Sequence, residues 1–254
     1  NKILEYNRGM DLKKTIVYAV NIAGLAEDGK MFHAALAQVS APRRDRTLRI
    51  KAVKGKCCSL GAELLLRHAL SDIGALKNAA QSANHAAQTT ASVSEVLCWP
   101  TEFEYRENEK PYLKGRNDIF FNVSHSEDMV ICAVSPEEVG CDIERIREGS
   151  RSEKIAARYF TEAECEYIQA HSETSAGQAM SFFRLWTLKE SFLKVTGRGL
   201  SLPLGDFSMI IEDGPEHPDP YISVEQAVND RSYIFREFNS IPGYCCSVCT
   251  EGTE

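Results

Sequence analysis

The chain has 254 residues, of which 43% are hydrophobic and 26% charged, a balance typical of a globular protein with one sizeable core or two smaller ones. The formal net charge of -7 argues against general nucleic-acid binding, which needs a cationic surface to release counterions from phosphates. No apolar run approaches the roughly 18 residues of a membrane-spanning helix. The nine cysteines lie mostly in apolar segments, so we expect reduced thiols and a cytoplasmic protein.

The first half of the chain predicts a strand, a helix and a polar insertion. Thr15 to Val20 has the pattern of a strand. Ser59 is a candidate N-cap for a helix whose apolar positions continue to about Gly74. Residues 78–94 are mostly Ala, Ser, Asn, Gln and Thr with no charged side chain, so they can bury little surface. We expect a mobile insertion or a surface loop there, without chemistry.

A cationic stretch lies between that strand and that helix, broken only by Asp45. It consists of Arg43, Arg44, Arg46, Arg49, Lys51, Lys54 and Lys56. In an acidic protein such a stretch is a candidate surface for anionic partners, and the alternative is a solvated helix face.

The second half predicts a mixture of short strands and helices. Three apolar segments joined by turn residues favour an antiparallel meander: 118–124, 129–134 and 139–143. A helix near 155–160, a capping box at Thr161 to Glu164 and a long helix from Ser175 to Thr196 follow. Further strands are predicted at 207–211, 221–224, 233–238 and 244–249. This irregular order predicts the α+β class.

Two acids stand out within the third segment of that meander. Asp142 and Glu144 are separated by one residue, and side chains alternate faces along a strand, so both carboxylates should project to the same side. Their charges repel, and a hard divalent cation is the usual neutralising partner. An arginine such as Arg145 or Arg147 is the alternative.

A third acid, a lysine and a histidine extend this hypothesis. If the helix bearing Glu190 packs across the acid pair, three carboxylates converge on one cation, and a magnesium site of this kind suits a diphosphate. Lys194 follows one helical turn after Glu190 and is a candidate ligand for a phosphate oxygen, as is His125. The alternatives are an exposed Glu190–Lys194 ion pair contributing about 0.3–0.5 kcal/mol and a structural histidine.

The ordered set of these motifs resembles the 4'-phosphopantetheinyl transferases, in particular the long type that activates peptide and polyketide synthetases. The resemblance spans roughly residues 39–207. It is carried by Lys110-Pro111, Phe121-Asn122-Val123-Ser124-His125-Ser126, Gly140-Cys141-Asp142-Ile143-Glu144, Phe160 with Glu164, Trp186-Thr187-Leu188-Lys189-Glu190-Ser191, and Lys194 followed by Gly197 and Gly199-Leu200-Ser201.

The resemblance implies both a reaction and a fold. Such enzymes move the phosphopantetheine arm of coenzyme A onto a serine of an acyl or peptidyl carrier protein, with magnesium at the diphosphate, and release adenosine 3',5'-bisphosphate. It implies an α+β pseudo-dimer of two similar α/β lobes with antiparallel sheets and coenzyme A in the cleft between them. The expected lobes are residues 1–116, which include the 78–94 insertion, and 117–254, which carry the magnesium site. A two-lobed chain has no evident need of a partner subunit, so we expect a monomer.

The resemblance also implies roles for single residues. The expected magnesium ligands are Asp142, Glu144 and Glu190, and the expected diphosphate contacts are His125 and Lys194. The expected contacts with the rest of coenzyme A are Lys110 and Ser124 on the nucleotide side, Arg43 and Arg46 near the 3'-phosphate, and Ser59 at the helix start. Glu190 is the candidate base, and Glu164 is expected to position Lys194.

Two departures from the family pattern affect the nucleotide end. Glu109 stands where the family often has glycine, and Cys58 where it often has arginine. Two other function classes use some of the same residues. A magnesium-dependent phosphohydrolase acting on a nucleotide diphosphate would need the same acids, and a non-catalytic binding module would need only the cationic stretch.

Overall fold

The computed structural model of the protein describes residues 3–6, 15–25, 29–84, 102–149, 151–212 and 220–252. They divide into two units. The first contains Asn1–Tyr105 and Pro111–Pro136, and the second contains Arg106–Lys110 and Glu137–Glu254. Within the described ranges, no helix is both long and apolar enough to cross a membrane.

The first unit is a four-stranded antiparallel sheet packed against a long helix. Its elements are β1 (Ile3–Tyr6), β2 (Ile16–Asn21), α1 (Lys30–Gln38), α2 (Ala41–Arg49), α3 (Val53–Asn84), β3 (Phe103–Tyr105), β4 (Pro111–Leu113), β5 (Phe120–Ser126) and β6 (Met129–Ser135). The strand order in the sheet is β1-β2-β6-β5, and β3 pairs separately with β4. Apolar residues of α3, such as Leu65 and Leu70, join Tyr18 of β2 and Val130 of β6 in one core.

The second unit is built round a central helix and a three-stranded sheet. Its elements are β7 (Val139–Arg145), α4 (Ser152–Tyr159), α5 (Glu162–Ala170), α6 (Ser175–Thr196), β8 (Ser208–Glu212), β9 (Tyr221–Glu225), β10 (Tyr233–Glu237) and β11 (Tyr244–Glu251). The sheet order is β10-β11-β7, all antiparallel, and β8 pairs with β9. Leu188 and Phe192 of α6 are fully buried in the core of this unit. The mixture of helices with antiparallel sheets confirms the α+β prediction.

The predicted meander is correct for two of its three strands. β5 and β6 form an antiparallel pair, but β7 pairs with β11 in the other sheet. The reason is that β6 already has β2 on one edge and β5 on the other, so it offers no edge to a third strand. β5 and β6 belong to the first unit. The expected lobes, residues 1–116 and 117–254, stay a prediction.

The helix predicted from Ser59 is longer than expected at both ends. It begins at Val53 and continues to Asn84, so Ser59 lies inside the helix and is not its N-cap. Residues 78–84 are helical where a loop was predicted, because their alanines favour a helix even though they can bury little surface. Residues 85–94 of the predicted insertion lie outside the described residues.

Candidate active site

The candidate site is formed where α6 packs unusually closely on β7. A Cβ atom added to Gly140 would lie 2.1 Å from the carbonyl oxygen of Ser191 and 2.5 Å from the backbone nitrogen of Val195. Only glycine can therefore occupy this position without displacing the helix. Asp142 and Glu144 share the face of β7 on which Gly140 lies, because strand side chains alternate, so both acids face α6.

Lys194 of α6 contacts the first of these acids directly. Its ammonium group donates to Asp142 Oδ1 at 2.6 Å and to the carbonyl oxygen of Cys141 at 3.0 Å. Burial opposes the ammonium charge, but the Asp142 carboxylate and its neighbours outweigh that effect, so the pKa of Lys194 lies above its ordinary value. The site therefore holds a fixed positive charge, as a diphosphate contact requires.

Glu190 lies one turn before Lys194 on the same face of α6. Burial raises the pKa of Glu190, and the nearby charges of Asp142 and Glu144 raise it further, whereas Lys194 partly offsets them. A carboxylate that takes up a proton more readily than an exposed one is a suitable general base. Since Lys194 pairs with Asp142 and both α6 residues are partly buried, the alternative of an exposed Glu190–Lys194 ion pair does not describe this site.

The donor chemistry of these three acids fits a hard cation. Carboxylate oxygens are the ligands that such a cation prefers, and a dication would relieve the repulsion of Glu190 by Asp142 and Glu144. Among the residues that the structure describes, however, no group of three or more His, Cys, Asp or Glu side chains is placed to hold a metal ion. The magnesium ligands thus remain a prediction.

Glu164 is expected to position Lys194, and this role stays a prediction. Its carboxylate accepts hydrogen bonds from Lys189 Nζ at 2.5 Å, the Met209 amide at 2.8 Å and the Thr161 amide at 3.0 Å. Glu164 and Lys189 have no exposed side-chain surface. This buried pair connects α6 with α5 and β8, and Lys189 immediately precedes Glu190 in the sequence. The capping box that the sequence predicted is present and explains the Thr161 bond.

Lys110 and Ser59, both expected to contact coenzyme A, have their polar atoms bound within the protein. The Lys110 ammonium lies in the second unit, where it donates to three acceptors. The Ser59 hydroxyl is buried and lies 2.8 Å from the hydroxyl of Thr47.

The remaining predicted residues lie in the first unit. Ser124 is buried and His125 exposed, on opposite faces of β5. Arg43 and Arg46 lie on α2, where Arg46 is exposed and Arg43 forms an ion pair of 3.2 Å with the buried Glu63.

Glu63 is a residue that the sequence did not single out. Its carboxylate accepts from the amide of Ser40 at 2.6 Å and from the Ser40 hydroxyl at 2.9 Å, in addition to Arg43. It thereby fixes the N-terminus of α2, the helix that carries the arginines. No local pattern indicates this contact, because the partners are 20 and 23 residues away.

Comparison with known proteins identifies close similarity over most of the chain. Residues 138–249 match the model of the 4'-phosphopantetheinyl transferase superfamily. The 4'-phosphopantetheinyl transferase gsp of Aneurinibacillus migulanus is 33% identical over 226 residues, which cover 88% of this chain and 81% of that protein. A 4'-phosphopantetheinyl transferase of Bacillus subtilis is 35% identical over 147 residues, covering 58% of this chain and 62% of the relative.

The matched part thus spans less than two thirds of the Bacillus subtilis protein but most of the Aneurinibacillus one. HetI of Nostoc, also a 4'-phosphopantetheinyl transferase, is 36% identical over 104 residues, covering 39% of this chain and 43% of that protein. The family match includes β7, α6 and the three acids Asp142, Glu144 and Glu190. Because the chain is 33% identical to gsp over 88% of its own length, it belongs to the 4'-phosphopantetheinyl transferase superfamily.

Proposed function

We propose that the protein transfers the 4'-phosphopantetheine arm of coenzyme A to a serine of an acyl or peptidyl carrier protein. Family membership supports the reaction class, and the observation that carries the assignment is the contact between β7 and α6. There Lys194 supplies a fixed positive charge, and Glu190 is a carboxylate with a raised pKa.

In this reaction the serine oxygen attacks the β-phosphorus of coenzyme A. A new oxygen–phosphorus bond forms, the bond from that phosphorus to the bridging oxygen breaks, and adenosine 3',5'-bisphosphate leaves with the electron pair. Glu190 accepts the serine proton, while Lys194 and His125 bind the diphosphate oxygens and stabilise the charge that develops on them. Magnesium held by Asp142, Glu144 and Glu190 would neutralise further diphosphate charge.

The nucleotide end of coenzyme A has its own proposed contacts. Arg43 and Arg46 would bind the 3'-phosphate through charge-assisted hydrogen bonds, and Ser124 would contact the nucleotide side. We do not include Ser59 and Lys110, because their polar atoms already have hydrogen-bond partners inside the protein.

The test uses several purified apo carrier proteins incubated with coenzyme A and magnesium. Intact-mass measurement should show the addition of one phosphopantetheine group to the carrier serine. Glu190→Gln keeps the size of the side chain but removes its basicity, so turnover should fall by about 10²- to 10⁴-fold. Glu225→Gln, on the exposed surface of β9, is the matched control and should keep wild-type activity.

Two results would count against the proposal. Full transfer by Glu190→Gln would remove the assignment of the base. Release of adenosine 3',5'-bisphosphate at the same rate without a carrier protein would indicate a hydrolase, in which water replaces the serine.

The proposed cellular setting follows from the substrates. Coenzyme A and apo carrier proteins are present in the cytoplasm, and the eight cysteines within the described residues are free thiols, as a reducing compartment favours. We propose that the enzyme acts there as a monomer.

A further inference from the structure

Residues 106–110 form a short segment of the second unit that lies at the carboxyl end of α6. The segment closes on itself, because the amide of Arg106 donates to the carbonyl oxygen of Lys110 at 3.2 Å. The Asn108 side-chain amide donates to the carbonyl oxygen of Gly197 at 2.8 Å. The segment therefore caps the helix that carries Glu190 and Lys194.

The Lys110 side chain extends this cap into the interior. Its ammonium donates to the Val195 carbonyl of α6 at 3.2 Å, to the Val139 carbonyl of β7 at 3.2 Å and to Glu138 Oε2 at 2.8 Å. The last carbonyls of a helix have no partner within the helix, and a cation near them is favoured by the helix dipole. One ammonium group thus joins the end of α6 to the start of β7.

An ammonium group has three donors, and the oxygens of Glu138, Val139 and Val195 use all of them. The Lys110 side chain is also only 7% exposed. A phosphate of coenzyme A could reach this ammonium only if one of these bonds broke and the surrounding residues opened. The contact expected from the family resemblance is therefore not the role that the geometry favours.

Backbone conformation shows that the segment is held in place. Asn108 and Glu109 have φ values of 55° and 59°, in the left-handed region that non-glycine residues rarely adopt. Such a conformation is unfavourable and persists only where surrounding contacts determine it. The bonds from Asn108 and Lys110 to α6 and β7 are contacts of this kind.

We propose that Lys110 is a positioning residue, which sets how closely α6 approaches β7 and thereby aligns Lys194 and Glu190 with Asp142. Lys110 donates to the carbonyl oxygens of Val139 and Val195, which are next in sequence to Gly140 and Lys194. At these residues the backbones of β7 and α6 are in contact. This inference rests on the proposed function, since Lys194 and Glu190 are the groups that it positions.

The test compares Lys110→Met with Lys114→Met, which removes a nearby exposed lysine that forms an ion pair with the exposed Glu102. At saturating coenzyme A, Lys110→Met should lower kcat by roughly 10-fold or more, because small displacements of catalytic groups are costly. The KM for coenzyme A should change by about 2-fold at most, because the bound substrate does not use this ammonium. Lys114→Met should leave both constants at wild-type values.

Hydrogen–deuterium exchange supplies a readout that does not depend on activity. Amides of residues 190–197 should exchange faster in Lys110→Met than in the wild type or in Lys114→Met, because the end of α6 has lost the hydrogen bond from Lys110 to Val195. If the wild type transfers nothing, the proposed function fails, while this exchange measurement still decides whether Lys110 holds the helix.

Asn108→Gly is the second variant, for use if Lys110→Met does not fold. Glycine accepts the positive φ at this position and removes only the side-chain bond to Gly197, so exchange at the end of α6 should rise and kcat should fall. An unchanged kcat in every folded variant overturns the proposal. So does a raised KM for coenzyme A with unchanged kcat and exchange in Lys110→Met, which would instead indicate a direct contact with the nucleotide.

Discussion

Glu190 is the residue in which function and stability conflict most directly. It lies in a partly buried position beside two other carboxylates, and only Lys194 offsets their effect on its pKa. An ionised group in such surroundings destabilises the folded state relative to the unfolded chain, in which it is hydrated. The same surroundings make it a stronger base, so the proposed chemistry and the destabilisation have one cause.

This conflict predicts that Glu190→Gln stabilises the protein while it slows transfer. The pKa of Glu190 is raised on folding, so its contribution to stability is fully present below the unfolded value near 4.5 and is lost as pH rises through the folded value. The variant should therefore gain Tm relative to the wild type as pH increases from about 4.5 towards neutrality. Thermal unfolding in EDTA at several pH values measures this, and an equal or lower Tm for the variant at neutral pH would contradict it.

At the scale of elements, the site depends on how closely the backbone of α6 approaches the backbone of β7. Gly140 permits the close approach of the two backbones, Lys189 and Glu164 fix the middle of α6, and Lys110 lies at its end. These contacts come from four parts of the chain, yet they all act on one helix. The alignment of Lys194 with Asp142 is a consequence of this packing.

Gly140→Ala should therefore damage both stability and activity. The added methyl group would overlap the backbone of α6, which cannot move aside as a flexible side chain can, so we expect a loss of about 1–3 kcal/mol or more in unfolding free energy. Transfer should fall at temperatures where the variant is still folded, because Lys194 moves away from Asp142.

Gly205→Ala is the matched control, because its added Cβ would lie 3.6 Å from the nearest atom, in ordinary contact. Urea unfolding and initial transfer rates measure the two effects. If Gly140→Ala behaves like Gly205→Ala, the close approach of α6 and β7 is not required.

At the scale of the whole molecule, each unit has its own hydrophobic core, and cysteines contribute to both. Cys57, Cys58 and Cys132 lie in the first core, and Cys245 and Cys249 in the second. Burial raises the pKa of Cys245 to about 12 and the pKa values of Cys246 and Cys249 well above the ordinary value. These thiols act as small apolar side chains.

Alkylation of the native protein tests this account. The thiolate is the reactive form, so iodoacetamide at pH 8 should label the half-buried Cys165 well before Cys245, Cys246 and Cys249. After denaturation all nine cysteines should react. Peptide mass spectrometry measures each rate, and early labelling of Cys249 in the folded protein would show that the second core is open.

Local patterns predicted the elements of this protein and much of its candidate site. The alternation of side chains along a strand was enough to place Asp142 and Glu144 on one face, and helical spacing was enough to align Glu190 with Lys194. The capping box at Thr161 and the left-handed stop at Gly197 are also local features, and both are present. Such features need only a few neighbouring residues, so the sequence by itself determined them.

Only the tertiary structure decided which partner each of these features met. β7 pairs with β11 because β6 has no free edge. Glu164 pairs with Lys189 because α5 packs against that part of α6. Lys110 donates to acceptors that are 29 and 85 residues away in the sequence. Such contacts depend on the register and depth of packing between distant segments. The residue spacing within one segment does not predict such contacts. The free energy that selects these partners comes from burial and hydrogen bonding across the whole unit.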